Sequence, residues 1–151
     1  GAAKAAVHAF LGEQAQVCLL SRDPSRAQRV MRGFESYSGQ GESGSIDELA
    51  PSCGDVYINC TPVGMAGGPD SEGLSVPVPD MPNIGPDTIF FDTVYNPVET
   101  PMLNAARVRG CRTIDGVEMF VRQAAAQFKL WTGEKAPIQL FDRICREKLS
   151  V

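Results

Sequence analysis

Long apolar runs and clusters of basic residues are both missing from this sequence of 151 residues. No stretch reaches the roughly 20 apolar residues that a membrane-spanning helix needs, so we predict no membrane partner. The 14 basic and 18 acidic residues give a net charge of −4. Because proteins bind the nucleic-acid backbone through clustered positive charge, we also predict no nucleic-acid partner.

The cysteines have neither the spacing of a metal site nor that of a disulfide framework. Five are present, no two form a C-x-x-C pair, and their odd number leaves one thiol over in any disulfide scheme. We therefore expect buried thiols in a reducing compartment and no bound metal. The first residues also lack the charged and apolar segments of a secretory signal. We predict a cytoplasmic protein, or a plastid protein if it comes from a plant.

Strands and helices are predicted to alternate along the chain. Continuous apolar runs, typical of strands covered on both faces, predict strands at residues 17–20, 55–60, 88–94 and 111–114. Helical spacing and capping residues predict helices at 3–11, 24–34, 45–49, 100–109, 117–132 and 137–149. Residues 36–45 predict a loop with one weak strand, and the prolines and glycines of 64–87 predict a long loop. The alternation predicts a parallel α/β sheet of the Rossmann type.

Two lines of residues are predicted on the helix that begins near residue 117. The stripe predicted to face the core contains Val117, Phe120, Val121, Ala124, Phe128 and Trp131. Gly116, Met119 and Gln123 fall on a second, narrower line. Packing in the core does not explain why Gln123 lies on the same line as Gly116 and Met119. The plainer alternative is that Gln123 is solvated, as most glutamines are.

Three segments of the sequence resemble one known family. They read NCTPVGM at 59–65, FDTVYNPVETP at 91–101 and DGVEMFVRQAA at 115–125. With these segments in this order, the chain resembles the C-terminal, NADP-binding domain of the shikimate dehydrogenase family from residue 1 to about 149. The resemblance implies a nicotinamide-dinucleotide-binding domain over 1–151 with helices at its C-terminal end, and a separate N-terminal substrate domain as its partner.

The resemblance also implies a doubly wound parallel sheet whose first strand is absent from the chain. Members of the family read Gly-x-Gly-Gly-Ala between the first strand and the first helix, and Gly1 and Ala2 match the end of that turn. Backbone amides and the helix dipole at such a turn meet the cofactor's pyrophosphate. Taken alone, residues 1–3 would suit a cloning remnant before an alanine-rich helix equally well.

The turn after the strand at 17–20 favours NADP over NAD. Arg22 and Arg26 offer two guanidinium groups, which match a phosphate in charge and in geometry. The family's NADP users show a similar pattern, so the resemblance implies cofactor contacts from Ser21, Arg22, Asp23 and Arg26. Asp23 departs from that pattern and would either favour NAD or cap the next helix. Two solvated arginines near a helix start are the plainer alternative.

The remaining predicted contacts follow the later strands. The resemblance implies cofactor contacts from Cys60, Thr61, Pro62, Thr93, Gly116 and Met119, and substrate contacts from Tyr95 and Gln123. Ligands of open parallel sheets bind just beyond the carboxyl ends of the strands, where Thr61 and Thr93 are predicted. A proline-glycine turn after Cys60 and an amphipathic rim residue at Tyr95 are the plainer alternatives.

No residue of the chain is a convincing catalytic group. Hydride transfer from an alcohol needs a group that accepts the hydroxyl proton. His8 and Lys4 are predicted on the first helix as surface or structural residues, and Asp92 and Asp115 as residues that cap or orient backbone at strand ends. In the family, the catalytic lysine and aspartate belong to the N-terminal substrate domain. We therefore predict that this chain alone is inactive.

The leading prediction is the cofactor-binding part of a shikimate dehydrogenase, which interconverts 3-dehydroshikimate and shikimate with NADP in aromatic amino-acid biosynthesis. The sequence VEMF at 117–120 resembles the corresponding segment of the plant-type bifunctional enzymes of the family. The alternatives are a quinate dehydrogenase that uses NAD, a non-catalytic dinucleotide-binding module, and the Rossmann domain of an unrelated dehydrogenase.

Overall fold

Five short strands, all in parallel pairing, form two sheets in the described part of the chain, residues 1–37, 41–48 and 54–149. In this computed structural model the chain divides into two compact units, Gly1–Cys53 and Gly54–Val151, and each unit holds one sheet. Parallel neighbours are joined by crossover connections rather than by tight hairpins. The predicted α/β class with parallel strands is therefore confirmed.

In the first unit, a helix links the two parallel strands. The elements are α1 (Ala2–Gly12), β1 (Val17–Ser21), α2 (Pro24–Met31), a 3-10 turn (Arg32–Phe34), β2 (Gly41–Ser45) and a second 3-10 turn (Ile46–Glu48). Val17 of β1 pairs with Gly41 of β2, so the weak strand predicted in the glycine-rich segment is present. Val7, Leu11 and Ala27 are buried at the centre of this unit.

In the second unit, β4 is the middle strand of three. The elements are β3 (Val56–Asn59), a 3-10 turn (Val78–Asp80), β4 (Ile89–Asp92), α3 (Pro101–Val108), β5 (Arg112–Ile114), α4 (Gly116–Thr132) and α5 (Ile138–Leu149). Phe90 of β4 is fully buried and aligns with Tyr57 of β3 and Thr113 of β5. The rings of Phe90 and Tyr57 stack with their centres 5.0 Å apart.

The long loop predicted at 64–87 contains no strand in the structure, but hydrogen bonds tie part of it to α3. Val78 and Met81 belong to this loop, and their side chains are buried. The guanidinium group of Arg109, at the end of α3, donates to the carbonyl oxygens of Val78, Pro79 and Met81 at 3.0 to 3.3 Å. These hydrogen bonds replace the ladder partners that a loop lacks.

The buried stripe of α4 is narrower than predicted. Val117, Val121 and Ala125 are buried at a spacing of four residues. Phe120 is 43% exposed and Trp131 is 76% exposed, so the prediction that both face the core is wrong for this chain. The prediction combined residues three and four apart, which describes a wider face than the neighbouring elements cover.

The cysteines differ in burial more than predicted. Cys111 is buried, Cys60 and Cys145 are half-buried, and Cys53 lies outside the described residues. Cys18 is exposed, which contradicts the expectation of a buried thiol there. Successive side chains of a strand alternate in direction, and Cys18 lies on the open side of β1.

The described residues contain no candidate for a membrane span or a metal site. None of their helices combines the length and the hydropathy that crossing a bilayer demands. Among them, no three His, Cys, Asp or Glu side chains are grouped so that they could bind a metal ion.

Candidate functional site

The first unit gathers four predicted cofactor residues, Ser21, Arg22, Asp23 and Arg26, at the junction of β1 and α2. The Ser21 hydroxyl accepts from the Asp23 N–H at 3.2 Å. Asp23 is the N-cap of α2, and its carboxylate accepts from the amide and the hydroxyl of Ser25 at 3.0 and 2.7 Å. The Ser25 hydroxyl lowers the pKa of Asp23. The predicted capping role of Asp23 is therefore confirmed.

Two arginines of this junction are exposed. The guanidinium groups of Arg22 and Arg26 make no hydrogen bond or ion pair with the described residues of the first unit. The next two arginines of the chain differ, because Arg29 donates to Ser25 at 3.2 Å and Arg32 donates to Gln28 at 3.4 Å. Two cations beside the start of α2 are therefore available to an anion.

Gly1 and Ala2 lie at the start of α1. Gly1 is the N-cap residue, and the first turn contains no acidic side chain. The N–H groups of a first helical turn have no partner within the helix, and they attract anions. The helix start predicted from the sequence is thus present. Among the described residues of the first unit, no hydrogen bond joins it to the Ser21 turn.

The second unit brings three predicted segments to one edge of its sheet. Cys60 directly follows β3, Thr93 directly follows β4, and Gly116 opens α4 shortly after β5. Because the three strands are parallel, their carboxyl ends lie on the same side. The Thr93 N–H donates to the Asn59 carbonyl oxygen at 3.1 Å, which joins the first two segments directly.

Gly116 makes the closest approach at this edge. A Cβ at this position would overlap the carbonyl oxygen of Val94 and would lie 2.7 Å from the amide nitrogen of Tyr95. Both neighbours are backbone atoms, so only glycine fits between α4 and the chain that leaves β4. The start of α4 therefore packs directly against the segment that carries Thr93 and Tyr95.

Two predicted substrate residues lie beside this contact. The Tyr95 side chain is exposed, and its ring packs against that of Phe120 with centres 5.2 Å apart. Phe120 lies on α4 next to Met119, and Gln123 follows one turn later on the same side. Gln123 is exposed and makes no hydrogen bond with the described residues of the second unit. Tyr95 thus presents a polar group at the surface beside Gly116, and Gln123 presents one about two turns further along α4.

A buried carboxylate connects the segments that follow β3 and β4. Asp92, the last residue of β4, is fully buried. Its Oδ1 accepts from the Asn59 side-chain amide and from the Val94 N–H, both at 2.9 Å. Its Oδ2 accepts from the hydroxyl of Thr100, the N-cap of α3, at 2.8 Å. The predicted role of Asp92 in orienting backbone at a strand end is confirmed.

Asn59 plays a similar part at the end of β3. Its Oδ1 accepts from the amide and the hydroxyl of Thr61, at 2.9 and 2.7 Å. Its Nδ2 donates to the Val63 carbonyl oxygen at 3.1 Å as well as to Asp92. Thr61 and Val63 flank Pro62, so this one side chain fixes the turn that carries the predicted contacts after β3.

Neither Asp92 nor Cys60, the two residues at these strand ends whose pKa is shifted, is placed to accept a proton from an alcohol. Burial raises the pKa of Asp92, while hydrogen bonds from Val94, Thr100 and Asn59 oppose the rise. Donors occupy both carboxylate oxygens, and the group has no exposed surface. Burial and the charge of Asp92 raise the pKa of the Cys60 thiol, which keeps it protonated and a weak nucleophile. This edge is therefore suited to binding and orientation.

The start of α4 is also anchored from α5. Asp115 caps α4 by accepting from the Glu118 N–H at 3.0 Å, as predicted. Arg146 of α5 donates to the two carboxylate oxygens of Asp115, at 2.9 and 3.3 Å, and also bonds Asp142. This pair fixes the residue that precedes Gly116.

The predicted site omitted Asn59 and Thr100, which hold its turns in place. A local signal exists for Asn59, because an asparagine at a strand end followed by threonine and proline is typical of an Asx turn. Thr100 begins the helix predicted at 100–109, where the structure shows it as the N-cap and adds its hydrogen bond to Asp92. That second contact has no signature in the spacing of the sequence.

The sequence is similar to proteins of one family. The profile of the shikimate 5'-dehydrogenase C-terminal domain matches residues 116–143. A shikimate dehydrogenase (NADP(+)) of Methanocella arvoryzae is 38% identical over 154 residues, which cover 99% of this chain and 54% of that protein. The chain spans about half the length of the curated relatives it matches.

Solved structures have a similar fold. A shikimate 5-dehydrogenase-like protein matches with a TM-score of 0.80 and 30% identity, over 97% of this chain and 52% of its own. The quinate dehydrogenase of Corynebacterium glutamicum, in complex with NAD, matches with a TM-score of 0.72 and 30% identity, over 90% and 46%. The parallel strands and these likenesses define a Rossmann-like α/β protein. Within that class the chain belongs to the shikimate dehydrogenase family, as predicted, and corresponds to the C-terminal domain.

Proposed function

We propose that this chain is the cofactor-binding part of a shikimate dehydrogenase, an oxidoreductase that interconverts shikimate and 3-dehydroshikimate with NADP in aromatic amino-acid biosynthesis. The observation that carries the proposal is the 38% identity to a shikimate dehydrogenase (NADP(+)) over 99% of the chain. The common edge reached by three predicted contact segments in the second unit supports it.

Residues of the first unit are proposed to bind the phosphates of NADP. Gly1 and Ala2 would offer backbone amides to the pyrophosphate. Arg22 and Arg26 would bind the 2'-phosphate, with Ser21 and Asp23 shaping their turn. The support is that both guanidinium groups are exposed and have no partner among the described residues of that unit. Charge-assisted contacts of this kind are the strong ones in phosphate recognition.

Residues of the second unit are proposed to bind the nicotinamide end of NADP. The contacts would come from Cys60, Thr61, Pro62, Thr93, Gly116 and Met119. The close approach of Gly116 to the backbone of Val94 and Tyr95 supports this, because it holds the start of α4 against the segment that carries Thr93. NADP, when bound, supplies the hydride acceptor.

The substrate is proposed to contact Tyr95 and Gln123. Their hydroxyl and amide groups can both donate and accept hydrogen bonds, which suits a ring that carries several hydroxyls. Both side chains are exposed, so they need no rearrangement within this unit to meet a ligand. Together they would form one wall of the substrate cleft.

The proton acceptor is proposed to lie on an N-terminal substrate domain of the same polypeptide. In the family, that domain carries the catalytic lysine and aspartate, and no described residue at the edge of the second unit can replace them. Isolated from such a domain, this chain is expected to be inactive. The plant-type bifunctional architecture and a cytoplasmic or plastid location remain predictions within this proposal.

A quinate dehydrogenase that uses NAD is the second candidate function. The likeness to the quinate dehydrogenase of Corynebacterium glutamicum in complex with NAD supports it. Asp23 is the acid that would bind the ribose hydroxyls of NAD. In the structure its carboxylate is already bonded to Ser25 as a helix cap, and this favours NADP.

The test is a comparison of initial rates on the full-length natural polypeptide, with shikimate or quinate as the acid and NADP or NAD as the cofactor. We expect the highest kcat/KM for shikimate with NADP. A maximum for quinate with NAD would support the second candidate. No turnover with any of the four pairs would favour a non-catalytic dinucleotide-binding module.

The phosphate assignment has a separate test in the variants Arg22→Gln and Arg26→Gln. Each should raise the KM for NADP roughly tenfold, because hydrogen bonds between charged partners contribute about 1.5–3 kcal/mol. The KM for NAD should change little. Arg32→Gln is the matched control, since it removes the same charge from the same unit outside the predicted site. Equal effects on the two cofactors would contradict the assignment.

A further inference from the structure

The buried Asp92 carboxylate makes none of the proposed ligand contacts, yet it is bonded to both turns that carry them. Through Asn59 it reaches the turn of Thr61 and Pro62. Through the Val94 N–H it reaches the segment between Thr93 and Tyr95. Both donors meet at the same oxygen atom, Oδ1. A shift of either turn therefore disturbs the hydrogen bond of the other.

Stability alone does not explain a carboxylate at this position. Burying an ionised group is costly, and apolar residues of similar volume are often as stable. Asp92 has no arginine or lysine partner among the described residues of the second unit, and three neutral donors compensate its charge instead. A fully satisfied buried polar network does, however, fix a single arrangement of the backbone.

We propose that Asp92 is a positioning residue that ties the turn after β3 to the turn after β4. It thereby holds the proposed cofactor contacts of Thr61 and Thr93 in register with the proposed substrate contact of Tyr95. Thr100 occupies the second carboxylate oxygen and fixes the whole arrangement to the start of α3. This inference rests on the function proposed above.

Two substitutions at this position separate hydrogen bonding from charge. In Asp92→Asn, the side-chain carbonyl still accepts from Asn59 and Val94, and the new amide donates to the Thr100 hydroxyl. In Asp92→Ala, all three partners lose their acceptor. A positioning role thus predicts that asparagine largely preserves the function that alanine removes.

The measurements are the KM values for NADP and shikimate, kcat, and the urea midpoint of unfolding, on the full-length natural polypeptide. We expect Asp92→Ala to raise both KM values about tenfold, since two turns lose a buried hydrogen bond. Asp92→Asn should stay within about threefold of wild type. Phe90→Leu is the control: it perturbs the packing of the same strand against Tyr57 without removing a hydrogen bond of the carboxylate, and should lower the midpoint with both KM values unchanged.

Several outcomes would overturn the inference. One is that Asp92→Asn is as impaired as Asp92→Ala, and another is that Phe90→Leu raises the KM values as much as Asp92→Ala does. If Asp92→Ala does not fold, Asn59→Ser replaces it, because it removes the side-chain hydrogen bond that links Asp92 to the turn after β3 but leaves Asp92 bonded to Val94 and Thr100. Wild-type KM values in that variant would also refute the inference.

A second readout keeps this inference separate from the proposed function. Amide hydrogen exchange at Thr61, Val63 and Val94 should accelerate in Asp92→Ala and stay near wild type in Asp92→Asn. If the wild-type protein turns over neither shikimate nor quinate, the proposed function fails while this readout still decides on the positioning role. Unchanged exchange at all three amides in Asp92→Ala would sink it.

Discussion

Substitution of Gly116 by alanine is the most direct test of the candidate site in the second unit. The added Cβ would overlap the carbonyl oxygen of Val94 and would lie 2.7 Å from the Tyr95 amide nitrogen, whereas ordinary contacts begin at 3.4 Å. Both neighbours are backbone atoms, which cannot rotate away as a side chain can. The start of α4 and the segment that follows β4 must therefore separate by at least about 0.7 Å at the Tyr95 nitrogen, and by more at the Val94 carbonyl oxygen.

The magnitude follows from two opposing effects. Alanine is favoured over glycine in a helix by up to about 1 kcal/mol. Overpacking of a close contact costs about 1–3 kcal/mol. We expect a net loss of about 1–2 kcal/mol in the free energy of unfolding. A displacement approaching 1 Å at a reacting centre can cost on the order of 100-fold, so kcat/KM with NADP should fall roughly 10- to 100-fold.

The assay combines urea unfolding, followed by circular dichroism, with initial rates on the full-length natural polypeptide. Gly85→Ala is the matched control in the same unit, because a Cβ at Gly85 meets no atom within 4 Å. That variant should stay within about 0.5 kcal/mol of wild type and keep its activity. If Gly116→Ala is as stable and as active as the control, the close approach is not a constraint on this site and the reasoning fails.

Two further predictions concern charged groups of the second unit. Arg146→Gln should lower the free energy of unfolding by about 1 kcal/mol, because Asp115 loses its ion pair. The difference from wild type should shrink in concentrated salt, and a difference that salt leaves unchanged would contradict its ionic origin. Burial raises the pKa of Asp92 above its ordinary 3.8. The Asp92 carboxylate therefore binds a proton more tightly in the folded state than in the unfolded chain. The free energy of unfolding of the wild type should therefore rise relative to that of Asp92→Asn as the pH falls through the folded pKa of Asp92. Urea unfolding of both proteins between about pH 7 and pH 4 measures this difference. A relative loss over that range would mean that the folded pKa is lowered.

Helix starts were predictable from the sequence because their hydrogen bonds are local. Asp23, Thr100 and Asp115 each precede a helix and cap it, with acceptor and donor only two or three residues apart. A short polar side chain before an apolar periodic segment is sufficient to predict such a bond. The turn of Ser21 and Asp23, which precedes the proposed phosphate contacts of Arg22 and Arg26, was predictable for the same reason.

The connections across the second unit were not predictable, because they join distant parts of the chain. Asn59 and Asp92 are separated by 33 residues, and their hydrogen bond depends on the register of two neighbouring strands. Periodicity assigns a residue to a face but does not say how much of that face is covered. Phe120 and Trp131 illustrate this, since both match the apolar period of α4 and both remain exposed in the structure.

The proposed preference for NADP would have an electrostatic basis in the first unit. The N-terminus of a helix carries roughly half a positive charge, which disfavours cations nearby. Arg22 and Arg26 nevertheless flank the start of α2, whereas Arg29 lies in its last turn, where the dipole favours a cation. The single carboxylate of Asp23 offsets only part of this excess.

An anion at the start of α2 would therefore relieve a repulsion that the folded unit otherwise carries. The 2'-phosphate of NADP brings a charge approaching −2, and NAD brings no charge at that position. The same two arginines that the helix dipole disfavours without a ligand would then favour the phosphorylated cofactor. Because like charges are held beside a positive helix end, we expect the balance of charge in the first unit to contribute to the proposed choice between the two cofactors.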